Sequence, residues 1–139
     1  MKFPGSYKAL NKIFLHARDP DIAELHGEFR VDILSFLPSL KSLSHRKVIY
    51  TKGKTLMGHN VLSGRKWGHF LLAENTIKES STLKAVRLSY DLEDNFFLIK
   101  HIRDYIRCIE KNSLYIGKFY YIVFGRPFLI GYFSLEKIQ

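Results

Sequence analysis

From Gly27 onward, the chain is a succession of short segments in which apolar and polar residues alternate. In the first segment Phe29, Val31 and Ile33 fall on one face, while the residues between them are charged. A period of two is typical of a strand with one buried face. Turn residues separate the segments, most clearly at 52–54, 63–64, 111–113 and 125–127, where Gly, Asn, Ser or Pro occur.

The alternation predicts eight strands, at about 28–34, 46–51, 55–62, 65–73, 83–91, 102–110, 114–124 and 128–135. Most of them are joined as hairpins. Closing such a meander into a barrel removes both exposed sheet edges. The fold class is therefore mainly β: an antiparallel up-and-down barrel of about eight strands. The alternative is an α+β fold, in which a curved antiparallel sheet wraps around a helix.

That helix is predicted ahead of the strands. Tyr7, Leu10, Phe14 and Ala17 fall on one stripe at helical spacing, and Ser6 is a suitable N-cap. A short turn follows and stops before the first strand. With no linker or internal repeat, we expect a single domain over 1–139, in which 1–26 is a helical lead-in and 27–139 the barrel.

Composition narrows the class of protein. Of 139 residues, 46% are apolar, which suffices for one core. The single cysteine, Cys108, excludes an internal disulfide, and we expect a cytoplasmic location. No uncharged apolar run approaches the ~18 residues of a membrane-spanning helix.

The net charge of +9 is unevenly distributed. The segment 33–73 contains no acidic residue. It carries seven cations: Lys41, Arg46, Lys47, Lys52, Lys54, Arg65 and Lys66. Such a segment is either the solvated face of a basic protein or a surface for nucleic acid or another anionic surface.

Two histidines on one predicted hairpin, His59 and His69, are candidate metal ligands. A two-residue loop at 63–64 would pair Asn60 with Trp67 and His59 with Gly68, which places the histidines on opposite faces. No third ligand stands at suggestive spacing. We therefore expect no metal site.

Trp67 and His69, with Asn60 beside them, are instead candidates for stacking on a planar ligand in a barrel mouth, although a lone Trp often simply fills a core.

The same parity argument applies to the last three strands. A two-residue loop at 112–113 would pair Arg107 with Lys118, on a face that we expect to be solvated together with Tyr105. The other face is the expected interior and collects Asp104, Tyr121 and Tyr132. A carboxylate facing an apolar interior needs a partner, for which Arg87 and the two tyrosine hydroxyls are candidates. The connection 92–101 is rich in apolar residues, and we expect it to fold over one end of the barrel.

No catalytic motif or phosphate-binding loop is recognisable, and no cofactor is indicated. Enzyme activity has no positive support. The weakest hypothesis is a small-molecule enzyme of the barrel type, with His69 or Asp104 as acid or base.

Two groups of residues resemble a known family. Leu25-His26-Gly27-Glu28-Phe29 opens the first strand where lipocalin-like (calycin) barrels carry Gly-x-Trp, with Phe29 in place of the tryptophan. Leu88-Ser89-Tyr90-Asp91, Ile102-Arg103-Asp104 and Leu114-Tyr115-Ile116-Gly117 resemble an uncharacterised lipocalin-like family named for a Gly-x-Trp-x-Gly motif. The resemblance implies a small barrel that binds an apolar or amphipathic ligand, and it implies no reaction.

The first hypothesis is therefore a cytoplasmic lipocalin-like protein that holds a small hydrophobic or amphipathic molecule. Its candidate ligand-binding residues are Asn60, Trp67, His69, Arg87, Asp104, Tyr121 and Tyr132. The rival is a basic β-barrel module that binds nucleic acid or an anionic surface. The apolar final strands also leave a homodimer open.

Overall fold

Eight antiparallel strands follow one another around a closed barrel in this computed structural model, which describes residues 1–35, 45–77 and 80–138. The first strand pairs with the last, with Val31 opposite Leu135. This pairing confirms the predicted barrel and excludes the open curved sheet. The strands are β1 (Gly27–Ile33), β2 (His45–Lys52), β3 (Thr55–Leu62), β4 (Arg65–Ile77), β5 (Ser80–Ser89), β6 (Ile102–Glu110), β7 (Leu114–Val123) and β8 (Arg126–Lys137).

One α-helix, α1 (Tyr7–His16), precedes the barrel, as predicted. Ser6 caps it by accepting a hydrogen bond from the Ala9 amide. Leu10 and Phe14 on its apolar stripe are fully buried against the outer face of the barrel. No helix in the described ranges is long and apolar enough to cross a membrane.

Helix α1 covers the face of the barrel that carries Arg107 and Lys118. Arg107 and Lys118 were expected on a solvated face, but they are only 1% and 2% exposed. The guanidinium of Arg107 donates to the carbonyls of Phe14, Ala17 and Lys84 and to the Asp19 carboxylate. The expectation was wrong because α1 lies across this part of the barrel.

Two turns also differ from the expected ones. Between β6 and β7 the loop has three residues and the register shifts again between Cys108 and Glu110, so Tyr105, rather than Arg107, lies opposite Lys118, with no exchange of faces. Between β7 and β8 the two-residue turn is Phe124-Gly125, one residue earlier than expected. Moving a two-residue turn by one residue changes the pairing by two and keeps the faces, but a further shift of one residue between Phe119 and Tyr120 exchanges the faces of β8. Tyr132 is therefore opposite Lys118 on the outer face, under α1, and not in the interior.

The two ends of the barrel differ. A short 3-10 helix, Ile22–Glu24, leads into β1, and Leu25 and Ile22 pack into the interior core there. We call this the closed end. At the other end β1 finishes and β2 begins, and the connections β3–β4, β5–β6 and β7–β8 leave. We call it the open end.

The interior core is mostly aliphatic and aromatic. Its fully or nearly fully buried members are Leu25, Phe29, Val31, Ile49, Phe70, Leu72, Val86, Leu88, Tyr90, Ile106, Cys108, Tyr115, Phe133 and Leu135. The connection 92–101 is tied to the open end by Asn95, whose side-chain amide donates to the carbonyls of His69 and Tyr90. The connection thus lies at one end of the barrel, as expected, but its apolar residues Phe96, Phe97 and Leu98 are exposed.

Candidate functional site: a polar cluster beneath an apolar cavity

Four polar side chains meet inside the barrel. Lys47 comes from β2, Asn60 from β3, Asp104 from β6, and Tyr90 directly follows β5. All four are at most 4% exposed. They converge because alternate residues of every strand point inward and closure brings distant strands together. We call these four residues the polar cluster.

The polar cluster is held by short hydrogen bonds. Lys47 Nζ donates to Asn60 Oδ1 and to the Tyr90 hydroxyl, at 2.7 Å each, and lies 3.4 Å from Asp104 Oδ2. The Tyr90 hydroxyl donates to Asp104 Oδ2 at 3.1 Å and accepts from Asn60 Nδ2 at 3.1 Å. Three acceptors around Nζ match the three protons of an ammonium group.

Burial is the main electrostatic influence on the polar cluster. It lowers the pKa of Lys47 and raises that of Asp104, while the attraction between the two charges opposes both changes. Burial and the nearby Asp104 charge also raise the pKa of Tyr90 well above its usual value. The Lys47–Asp104 pair carries no net charge, either as ammonium with carboxylate or as amine with carboxylic acid.

His45 and Trp67 extend the polar cluster toward the open end. His45 Nε2 lies 3.0 Å from Asn60 Oδ1, and burial together with the Lys47 charge lowers the His45 pKa to about 4. The ring is therefore neutral at pH 7. Because Asn60 Oδ1 is an acceptor, His45 carries its proton on Nε2. The rings of His45 and Trp67 are 5.6 Å apart, and Trp67 Nε1 is buried with no hydrogen-bond partner among the described residues.

A bulge in β4 determines which side chains reach this site. Asn60 is opposite Trp67, as predicted, but His59 is opposite His69 because the register shifts between these pairs. The extra residue is Gly68, whose φ is +62°. Glycine adopts this conformation without steric penalty, so Trp67 remains inside while His69 turns outward.

An apolar cavity of about 230 Å³ lies above the polar cluster at the open end. Its lining residues are Val31, Ile33, His45, Lys47, Leu62, Trp67, Tyr90, Ile102, Asp104, Phe119 and Phe133. Drug-sized ligands occupy ~300–1,000 Å³, whereas a ~150 Å³ apolar cavity can hold benzene. The space is thus suited to a molecule with about one ring.

The structure brings together only some of the residues singled out from the sequence. Asn60, Trp67 and Asp104 all belong to the interior site. Tyr121 lies at the rim of the open end, where its hydroxyl donates to the Leu98 carbonyl. Tyr132 lies under α1.

Arg87 and His69 are also placed outside the interior site. Arg87 lies opposite Tyr105 on β6, between the interior residues Val86 and Leu88, so it points outward. The expectation that Arg87 pairs with Asp104 was wrong, and Lys47 takes that place.

The histidine pair has a different geometry from the one expected. His59 and His69 share the outer face, with ring centroids 6.1 Å apart, because of the bulge at Gly68. His69 Nδ1 contacts the Asp94 carboxylate. The expectation of opposite faces was wrong. No group of three or more possible metal ligands occurs in the part of the chain that the structure describes.

Sequence reasoning missed His45, Lys47 and Tyr90. Tyr90 shares its parity with Val86 and Leu88, so a hydroxyl at the end of an apolar face was a usable signal. No sequence signal indicated that Lys47 points inward, because Arg46 and Lys47 are adjacent cations and either one could have been the outward residue.

The cations of the segment 33–73 do not form one surface. Lys47 is buried, Arg46 contacts Glu28, and Lys41 lies outside the described residues. The remaining four are divided between the ends of the barrel: Lys52 and Lys54 at the closed end, and Arg65 and Lys66 at the open end.

Comparison with known proteins finds a solved structure of similar fold and no family. No protein-family model matches the chain, and no curated protein matches it either. The chain is similar to a solved structure described as the crystal structure of a protein from Thermomonospora curvata, with a TM-score of 0.63 and 15% sequence identity. The match covers 96% of this chain and 88% of the other. At that identity the likeness shows the fold alone.

Proposed function

We propose that this protein is a lipocalin-like carrier or sensor that binds one small, uncharged, mainly apolar molecule in the cavity at the open end of its barrel. The observation that carries the proposal is the polar cluster at the base of an apolar cavity. Replacing a buried ion pair with apolar residues often leaves stability unchanged or improves it. Stability alone therefore does not explain why Lys47 and Asp104 lie in the interior, whereas recognition of a ligand with one polar group would.

The charge of the ligand follows from the charge of the polar cluster. Lys47 is already compensated by Asp104, so a ligand carboxylate would enter without a free counterion. His45 is neutral at pH 7 and supplies no compensating charge. A hydroxyl or carbonyl compound avoids this desolvation penalty. We therefore propose an alcohol, phenol, aldehyde or ketone with about one ring.

The indole N–H of Trp67 indicates that the ligand carries a hydrogen-bond acceptor. Trp67 Nε1 is buried without an acceptor among the described residues, and an unsatisfied buried donor costs about 1–3 kcal/mol. A ligand oxygen that accepts from Trp67 would remove this penalty after a small movement of the ring.

We also propose a cytoplasmic location, and the reason remains that the chain has a single cysteine.

The test uses Trp67 as the reporter, because it is the only tryptophan and lines the cavity. Benzyl alcohol and cyclohexanone are expected to change its emission in a saturable way. Benzoate, of similar size but charged, and palmitate, which exceeds the cavity, are expected to bind at least tenfold more weakly. If none of the uncharged probes saturates, or if benzoate binds as well as benzyl alcohol, the proposal is wrong.

A pair of variants makes the test specific. Asp104→Asn leaves Lys47 without its counterion, so we expect benzoate to gain affinity over benzyl alcohol by about tenfold or more. Tyr132→Phe removes a hydroxyl on the outer face and is the control, with no expected change for either probe. Native mass spectrometry of the purified protein would identify a co-purifying molecule directly.

A further inference from the structure

Large apolar side chains are exposed at the open end. Phe96, Phe97 and Leu98 of the β5–β6 connection are 59%, 62% and 51% exposed. Phe124, in the β7–β8 turn, is 100% exposed, and Phe128 is 53% exposed. We call these five residues the apolar rim. A contiguous exposed apolar patch usually marks an interaction site.

The two parts of the apolar rim lie side by side. The Tyr121 hydroxyl donates to the Leu98 carbonyl at 2.9 Å, and Tyr121 is the cross-strand partner of Phe128. The connection that carries Phe96 and Phe97 is thus fastened to the strand that leads into the Phe124 turn. Phe96, Phe97 and Leu98 lie in a connection and Phe124 lies in a turn, so most of the apolar rim is carried by segments between strands.

Four cations lie at the same end of the barrel as the apolar rim. Arg65 and Lys66 lie at the β3–β4 hairpin, Lys100 in the 3-10 helix Ile99–His101, and Arg126 at the start of β8. None of them forms an ion pair with another described residue. Three acids, Asp91, Glu93 and Asp94, lie in the connection between β5 and β6; Asp91 is 3.9 Å from Arg103, and Asp94 contacts His69.

We propose that the open end docks on a lipid bilayer containing anionic lipids, with the apolar rim inserted between headgroups and the four cations above it. Aromatic side chains favour the membrane interface, and nearby Lys and Arg residues add attraction to anionic lipids. A second copy of the chain is disfavoured, because a symmetric pair would bring the same cations face to face. A site on which RNA bases stack would need a groove that follows the RNA strand.

Docking at this end has a direct consequence for the cavity. Ile33, His45 and Leu62, at the ends of β1, β2 and β3, line both the cavity and the open end. A small apolar molecule could pass between the barrel and the bilayer without crossing bulk water. The docking itself requires no ligand, so it can be tested independently of the proposed function.

The experiment is vesicle flotation of the ligand-free protein, at low and moderate salt. Vesicles of phosphatidylcholine with and without phosphatidylserine are the probe. We expect binding to the anionic vesicles only. Phe97→Ser combined with Phe124→Asn, and separately Arg65→Gln combined with Lys66→Gln, should each reduce partitioning about tenfold or more. The matched control is Lys52→Gln with Lys54→Gln, which removes two cations at the closed end and should change partitioning less than about twofold.

Several results would overturn the proposal. They include no flotation of the wild-type protein, an equal loss in the closed-end control, and unchanged binding after removal of the two phenylalanines. A dimer in sedimentation that these phenylalanine substitutions dissociate, with no vesicle binding, would assign the apolar rim to a second copy. Tighter binding to single-stranded RNA than to vesicles would assign the cations to nucleic acid. Trp67 emission checks that each variant is folded. Because the ligand titration contains no vesicles, failure of docking and failure of ligand binding are distinguishable.

Discussion

Lys47 Nζ and Asp104 Oδ2 lie 3.4 Å apart inside the barrel, and their side chains are 4% and 5% exposed. The two residues come from β2 and β6, which are not neighbours in the sheet. Their contact therefore crosses the interior. It depends on barrel closure and at the same time places charge at the base of the cavity.

Removing one member of this pair should destabilise the fold more than removing both. Lys47→Met leaves a buried carboxylate without its counterion, for which we expect a loss of ~3 kcal/mol in the free energy of unfolding. Lys47→Met with Asp104→Leu removes the uncompensated charge and should recover most of this loss. Urea denaturation of the four proteins of the cycle measures the coupling. Additive losses in the double variant would contradict the prediction.

His45 should make stability depend on pH. Its pKa is about 4 in the folded protein, against a usual 6.5, so the unfolded chain takes up a proton first as the pH falls. The free energy of unfolding therefore decreases from about pH 6.5 to about pH 4, by ~3 kcal/mol at most. His45→Gln keeps a donor for Asn60 but cannot titrate. Denaturation across this range should show a shallower acid slope in the variant, and parallel profiles would count against the assignment.

Arg107 should fasten helix α1 to the barrel. Its guanidinium is buried and donates to two carbonyls near the end of α1, those of Phe14 and Ala17. Arg107→Met removes the guanidinium from both carbonyls, leaving Phe14 only the 3.4 Å bond from the Ala17 amide, and we expect a loss of ~3 kcal/mol and faster amide hydrogen exchange in α1. Arg87→Met is the matched control, with an expected loss below ~1 kcal/mol. Equal losses in the two variants would remove this role from Arg107.

Gly68 should be required for the β4 bulge. In Gly68→Ala the new Cβ would lie 3.2 Å from Asn60 Nδ2 and 3.3 Å from the Tyr90 ring, at a φ of +62°. Gly53 has a similar φ of +64° with nothing near its Cβ, so Gly53→Ala isolates the backbone strain, which costs about 1–2 kcal/mol. We expect Gly68→Ala to be the more destabilising variant and to change Trp67 emission. Identical losses would show that the contact with Asn60 and Tyr90 is unimportant.

Much of the fold was predictable because its signals are local. Alternation at Phe29, Val31 and Ile33, and turn residues such as Gly53 and Gly64, depend only on neighbouring residues. The capped helix after Ser6 is local as well. The division of the chain into one domain stays a prediction.

The site was predictable only in part. Asp104 was expected inside from its parity, and it lies there. Asn60 and Trp67 were correctly paired, since their register depends on a two-residue turn close by. His69 and Tyr132 were misplaced, because an unrecognised one-residue register shift in β3–β4 and in β7–β8 exchanges the two faces of a strand.

By itself, then, the sequence determined the number of strands, their order, the leading helix and the inward position of Asp104. Only the tertiary structure decided that Lys47 is the partner of Asp104, that α1 covers Arg107, and that the cavity lies at the end of the barrel where β1 finishes and β2 begins. The physical reason is the range of the interactions. Alternation and turn chemistry act over a few residues, whereas closure of the barrel brings together side chains from β2 and β6, and no local pattern records which cation will face inward.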